Sequence, residues 1–227
     1  MYKETFGDNI ISFYKYIRTP DVSRFHVEVI SPFQASTTQT CTTGFFKKFY
    51  NDNKKRVYII GINPGRFGSG TTGVPFTDAI ALEHYCGIKN TIEKRKELTS
   101  DFIYRVVKAF GGTKRFFGSF YLTAVSPVGF TKNGKNYNYY DDRKFYDALV
   151  PFLVDSIEQQ IAFGAKDAVV ILGTGKNLKV FTELNNQHGW FKEVHGLPHP
   201  RYVMQYKRNS VDSFIKQYLD ILNKVLS

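Results

Sequence analysis

Short unbroken apolar runs alternate along this chain with longer stretches in which apolar residues recur every three or four positions. The run Arg56–Gly61 (RVYIIG) is followed at once by turn residues, as expected of a buried strand. Ser119–Ala124 (SFYLTA) and Ala168–Gly173 (AVVILG) have the same character, and Trp190–Val194 is a weaker fourth candidate. Helical spacing fills the intervals. It predicts a helix over Thr99–Phe110 and another over Asp142–Phe163, where Phe145, Leu149, Phe152, Leu153, Ile157 and Ile161 fall near one face. Pro151 predicts a kink in the second helix or a start just before it. The tail is the clearest helix: Val211, Phe214, Ile215, Tyr218, Leu219, Leu222, Val225 and Leu226, with Ser210 as its cap.

Strands alternating with helices predict an α/β fold, a parallel sheet covered by helices on both faces. No repeat or low-complexity linker divides the sequence, so residues 1–227 read as one domain. In such folds the functional site lies where loops leave the carboxyl ends of the strands. The unusual sequence of this chain stands directly after its strands.

Composition narrows the class. A hydrophobic fraction of 42% with 15 Tyr and 21 Phe excludes a disordered or fibrous chain. No apolar run approaches the ~20 residues that span a bilayer, so no membrane partner is expected. The N-terminal stretch MYKETFGDNIISFYKYI lacks a basic region, apolar core and cleavage site, which predicts an intracellular, cytoplasmic location. Cys41 and Cys86 form no CxxC and read as free thiols. The HxxxH at His195–His199 contains Pro198, so it cannot present two ligands on one helical face, and no metal or cofactor is expected. With 31 Lys and Arg against 20 Asp and Glu, the net charge of +11 suits a polyanionic partner.

Two loops carry the chemistry. After the first strand comes Gly61-Ile62-Asn63-Pro64-Gly65-Arg66-Phe67-Gly68, where Pro64-Gly65 predicts the centre of a type II turn. Asn63 precedes a proline, so its backbone is extended and its amide projects in a nearly fixed direction. His199 lies in Leu197-Pro198-His199-Pro200-Arg201-Tyr202, after the last strand candidate, and is held extended in the same way. Each residue alone has an ordinary structural reading, as a turn asparagine or a backbone-satisfied histidine. Two pre-proline polar residues leaving strand ends of one sheet make a constellation.

The segment GINPGRFGSGTTGVPF at Gly61–Phe76 resembles the first motif of uracil-DNA glycosylases, nearest to the single-strand-selective monofunctional (SMUG) branch. Leu197–Arg201 is similar to the family's second motif, although His-Pro-Arg replaces the usual His-Pro-Ser-Pro-Arg; the pattern suggests a divergent, bacterial-type subfamily. The resemblance implies a three-layer α/β/α fold around a mostly parallel four-stranded sheet. It implies that Asn63 orients the attacking water and that His199 stabilises charge on the departing base. It further implies that Gly65 sits against the base edge, that Phe76 stacks on the flipped base, and that Asn136 reads it, with Asn138 as rival. The expected partner is DNA carrying a deaminated base, bound by a monomer.

The physics suits these roles. A base inside a duplex must be extruded, stacked and read by hydrogen bonds before it can be cut. Cleavage of the N-glycosidic bond creates an anionic leaving base, which fixed donors in a dry pocket stabilise. Asn63 cannot act as a general base, so slower chemistry than a carboxylate gives is expected.

Gly173-Thr174-Gly175-Lys176-Asn177 opens a helix after the third strand but fails the GxxxxGK[ST] pattern, with Val170 and Asn177 at fault. Gly173 and Lys176 instead suit one DNA phosphate. Arg201, Tyr202, Val203 and Met204 form a mixed basic and apolar tip suited to wedging into the stack. The competing reading is a catalytically silent nucleic-acid-binding module of the same fold; a nucleotide-metabolising enzyme is a weaker one, since GxGxxG is also missing.

Overall fold

The run RVYIIG forms a strand whose six residues are all buried, and it is an inner strand of a four-stranded sheet. The computed structural model describes residues 4–227; Met1–Lys3, the start of the segment read as lacking a leader, lie outside the described residues. The chain opens with α1 (Phe6–Tyr16), β1 (Glu28–Ile30), α2 (Ser36–Phe49) and β2 (Arg56–Gly61). The short helices α3 (Ser69–Thr72) and α4 (Ala79–His84) lead to α5 (Leu98–Ala109), α6 (Thr113–Ser119) and β3 (Phe120–Ala124). A hairpin of β4 (Gly129–Lys132) and β5 (Lys135–Tyr137) precedes α7 (Arg143–Ile161), β6 (Ala165–Leu172) and α8 (Lys176–His188). The chain closes with β7 (Glu193–Leu197), α9 (Pro200–Tyr206) and α10 (Val211–Lys224).

The main sheet has the order β3-β2-β6-β7, and every neighbouring pair is parallel. Tyr58 and Tyr121 are register partners, and both rings pack on Phe6 of α1, at 6.2 and 5.4 Å. Phe120, one residue earlier in β3, points to the other face and meets Phe110 at the end of α5, at 5.3 Å. Helices therefore cover both faces, and the architecture is the three-layer α/β/α arrangement expected. Arg56 begins β2 fully buried. Its guanidinium lies 4.7 Å from both the Phe6 and Tyr50 rings, and both its terminal nitrogens donate to the Asp52 carboxylate at 3.0 Å.

The departures from expectation have local causes. Helix α7 does not start just before Pro151 but at Arg143, where the Asp142 side chain accepts the Phe145 N–H at 2.8 Å, and it contains Pro151 within its length. Pro151 is on the exposed side of the helix, where water can satisfy the carbonyl it leaves unbonded. Ser210 stands at the start of α10 but makes no side-chain cap; it ends a short 3₁₀ turn instead. The fourth strand starts at Glu193 rather than Trp190, because Trp190 stacks on His188 at 4.7 Å and Phe191 N–H donates to Asn185 Oδ1 at 2.9 Å. Those contacts tie residues 190–191 to the end of α8. A second, antiparallel sheet of order β1-β4-β5 was not foreseen. Its strands of three or four residues are too short to display a period. Among the described residues no helix is long and apolar enough to cross a membrane.

Candidate active site

The carboxyl ends of β2 and β3 and the loop after β7 open onto one cavity of about 320 Å³. Asn63, Gly65, Phe76, Asn136, Asn138, His199 and Arg201 all line it, so residues at both ends of the chain meet in one place.

Asn63 is pinned on three sides. Its Nδ2 donates to Pro64 O and to Tyr137 O, each at 3.2 Å, and its Oδ1 accepts the Tyr139 N–H at 3.2 Å. Turning the amide over would set an oxygen against two carbonyls, so the orientation is unique. Both hydrogens of Nδ2 are spent. Oδ1 keeps one lone pair for a further donor. Tyr139, fully buried, donates its hydroxyl to Asn177 Oδ1 at 2.8 Å, and Asn177 Nδ2 donates to Leu172 O at 3.0 Å. The end of β2 is thereby cross-linked to the end of β6. Sequence reasoning missed Tyr137 and Tyr139, which carry no local signal, and noted Asn177 only as a failed phosphate-loop residue.

His199 has the extended backbone expected before proline (φ −64°, ψ 135°), and its Nδ1 accepts the Arg201 N–H at 3.2 Å as the cap of α9. A ring that accepts at Nδ1 carries its proton on Nε2, which is left as a donor. Burial first, and the neighbouring Arg201 charge second, pull its pKa from the usual 6.5 down to about 4. The imidazole is neutral at neutral pH. Tyr218 of α10 braces the same turn by donating its hydroxyl to Pro198 O.

Phe76 occupies the left-handed region (φ 55°), a conformation rare for a bulky residue. Its ring lies over Gly61, where an added Cβ would come within 2.4 Å of Phe76 Cζ, and its centroid is 6.3 Å from that of His199. Gly65 corrects the turn expectation. Its φ is not positive, so no type II turn forms at Pro64-Gly65. Glycine stands there for space: a Cβ would lie 3.1 Å from Asn136 Nδ2.

Asn136, in the middle of β5, and Asn138, just after it, are two residues apart and both line the cavity. Asn136 Oδ1 accepts the Arg66 N–H at 3.0 Å, which turns its Nδ2 toward Gly65. Asn138 has the opposite polarity: its Nδ2 donates to Asp141 at 3.2 Å, which leaves its Oδ1 as acceptor.

Gly173 is beside His199, while Lys176 begins α8 outside the cavity lining with its ammonium 5.3 Å from the Tyr140 ring. The segment after His199 is a helix rather than a loop, which corrects the wedge expectation in part. Val203 and Met204 are buried in the core and cannot enter a base stack; Arg201 and Tyr202 are exposed.

Residues 47–223 match the model of the uracil DNA glycosylase superfamily. The chain belongs to that superfamily. It is similar to wild-type SMUG2 of Pedobacter heparinus, whose crystal structure superposes with a TM-score of 0.93 at 37% identity, covering 98% of this chain and 99% of that one. No curated protein matches the chain. Fold and family together define a SMUG-like uracil DNA glycosylase, a hydrolase that acts on DNA.

Proposed function

We propose that the protein is a monofunctional glycosylase that flips uracil or a related deaminated base out of DNA and hydrolyses its N-glycosidic bond. One observation carries this reading: the Asn63 amide and the neutral His199 imidazole line the same cavity.

The flipped base enters the cavity and stacks on Phe76. The bond from C1′ to the base nitrogen breaks, and its electron pair leaves with the base. Charge builds on the base oxygen, where the His199 Nε2–H donates without surrendering its proton. A neutral donor suits this role because the base anion is held by a fixed dipole rather than by a proton transfer. Asn63 Oδ1 accepts a hydrogen bond from the attacking water, whose oxygen bonds to C1′ on the face opposite the departing base. The water's second proton passes to solvent or to the departing base. Asn136 and Asn138 divide the reading of the base edge: Asn136 Nδ2 donates to a carbonyl, and Asn138 Oδ1 accepts from the adjacent ring N–H. That donor–acceptor pair matches the edge created by deamination and opposes the amino edges of cytosine and adenine. Arg201, Tyr202, Gly173 and Lys176 contact the flanking strand.

The test is incubation with uracil-containing oligonucleotides, with free base and alkali-labile sites quantified together. Equal yields of both, without strand cleavage before alkali, are expected. Salt-sensitive binding with no base released from uracil, hypoxanthine or xanthine would instead indicate a silent binding module.

A further inference from the structure

We propose that Arg95, seated over Phe67 of the cavity wall, forms with Arg66 a clamp for a DNA phosphate beside the flipped nucleotide. The inference rests on the glycosylase reading of the same cavity.

The run Lys94-Arg95-Lys96 divides its charges unequally. Lys94 Nζ lies 2.8 Å from Glu83 and Lys96 Nζ lies 3.2 Å from Asp101, so each flanking cation has a carboxylate beside it, Asp101 being shared with Arg105. Arg95 has no such partner among the described residues. Its guanidinium carbon lies 3.5 Å from the centroid of Phe67, a ring that lines the cavity. Arg66 lies over the same ring at 5.2 Å and donates from Nη1 to Gly134 O. The nearby carboxylates are otherwise placed. Glu97 lines the cavity and accepts the Thr99 hydroxyl at 3.2 Å, and Glu93 meets Arg95 only through its backbone carbonyl, at 3.0 Å. Neither carboxylate forms an ion pair with either arginine.

Arg95 and Arg66 both lie over Phe67 and neither is paired with a carboxylate, so an anion within reach of both meets two uncompensated positive charges. A guanidinium carbon 3.5 Å from the ring centroid is in van der Waals contact with the ring, which holds the group by cation–π attraction while its outward N–H groups remain for a phosphate. Because Phe67 forms part of the wall that receives the base, the anion within reach is the sugar–phosphate backbone next to that base. Phe67 is thus a positioning residue, and Arg95 the contact.

Binding is measured with an oligonucleotide carrying a fluorinated deoxyuridine that resists hydrolysis, over a range of salt, for the parent protein, Arg95→Gln, Arg95→Lys and Phe67→Leu. Loss of one phosphate contact flattens the slope of log K against log salt by about 0.7–0.9. Arg95→Gln is expected to show that flattening and about ten-fold weaker binding at low salt. Arg95→Lys recovers the slope but only part of the affinity, because an ammonium cannot lie on the ring. Phe67→Leu weakens binding in the parent but adds little to Arg95→Gln. An unchanged slope and affinity in Arg95→Gln, with uracil still released by the parent, would overturn the clamp and leave the glycosylase standing. A flattened slope in Arg95→Gln, with no base released by the parent, supports the phosphate contact and rejects the glycosylase.

Discussion

His199 Nδ1 accepts the backbone N–H of Arg201 at 3.2 Å, so the turn that positions the ring also selects its tautomer. The pH dependence follows. With the folded pKa at about 4 against the usual 6.5, the ring stays neutral as pH falls through the range where a free histidine charges. The single-turnover rate should therefore show no inflection near 6.5 attributable to His199, and should fall only as pH nears 4. Stability moves the other way within that window. The unfolded chain takes up the proton first, so folding weakens as pH drops from 6.5 toward 4. Arg201→Ala removes the second cause of the shift and should move the acid limb upward. An NMR titration of the ring measures this directly.

Asn63→Asp should not yield a faster enzyme. The aspartate would set a carboxylate oxygen where Nδ2 now donates to Pro64 O and Tyr137 O. Two acceptors at that range repel, which raises the carboxyl pKa and costs about 1–3 kcal/mol for the donors lost. Thermal unfolding should show a lower midpoint, with activity below the parent at neutral pH. A gain in rate with unchanged stability would mean that the Tyr137 contact does not hold Asn63.

Tyr139→Phe keeps the packing of a buried ring and deletes its hydroxyl, which leaves Asn177 Oδ1 without its donor. A buried acceptor left unpaired costs about 1–3 kcal/mol. Because the same residue's N–H anchors Asn63 Oδ1, looser backbone at 137–139 should lower the single-turnover rate several-fold with little change in DNA affinity. A purely structural role would lower stability and leave the rate intact.

Phe76 holds a backbone conformation that glycine adopts freely. Phe76→Gly should relieve about 1 kcal/mol of backbone strain, offsetting much of the lost ring packing, yet remove the surface on which the base stacks. The expected outcome is a small change in unfolding midpoint with at least about ten-fold lower kcat/KM. Gly61→Ala should reduce activity by a different route, since its Cβ would displace the same ring.

Much of the frame was legible. Strands β2, β3 and β6 announce themselves as apolar runs, since strands covered on both faces need no polar alternation. Asn63 and His199 were legible because proline restricts the residue before it wherever it occurs. What was hidden depends on partners far along the chain. Nothing near Tyr139 reveals that it clasps Asn63, a contact spanning 76 residues. Gly65 was misread because glycine serves both positive φ and close approach, and only the neighbouring Asn136 distinguishes them. Val203 and Met204 looked available for DNA because the helix that turns them inward begins at Pro200, immediately after the motif.

The central claim is that Asn63 and His199 act on one base in one cavity. Single-turnover release of uracil from an oligonucleotide by Asn63→Ala and His199→Ala tests it most directly. Each variant should fold and bind DNA as the parent does, yet release base slower by on the order of 10²–10³-fold. Release at the parent rate by either variant would contradict the account.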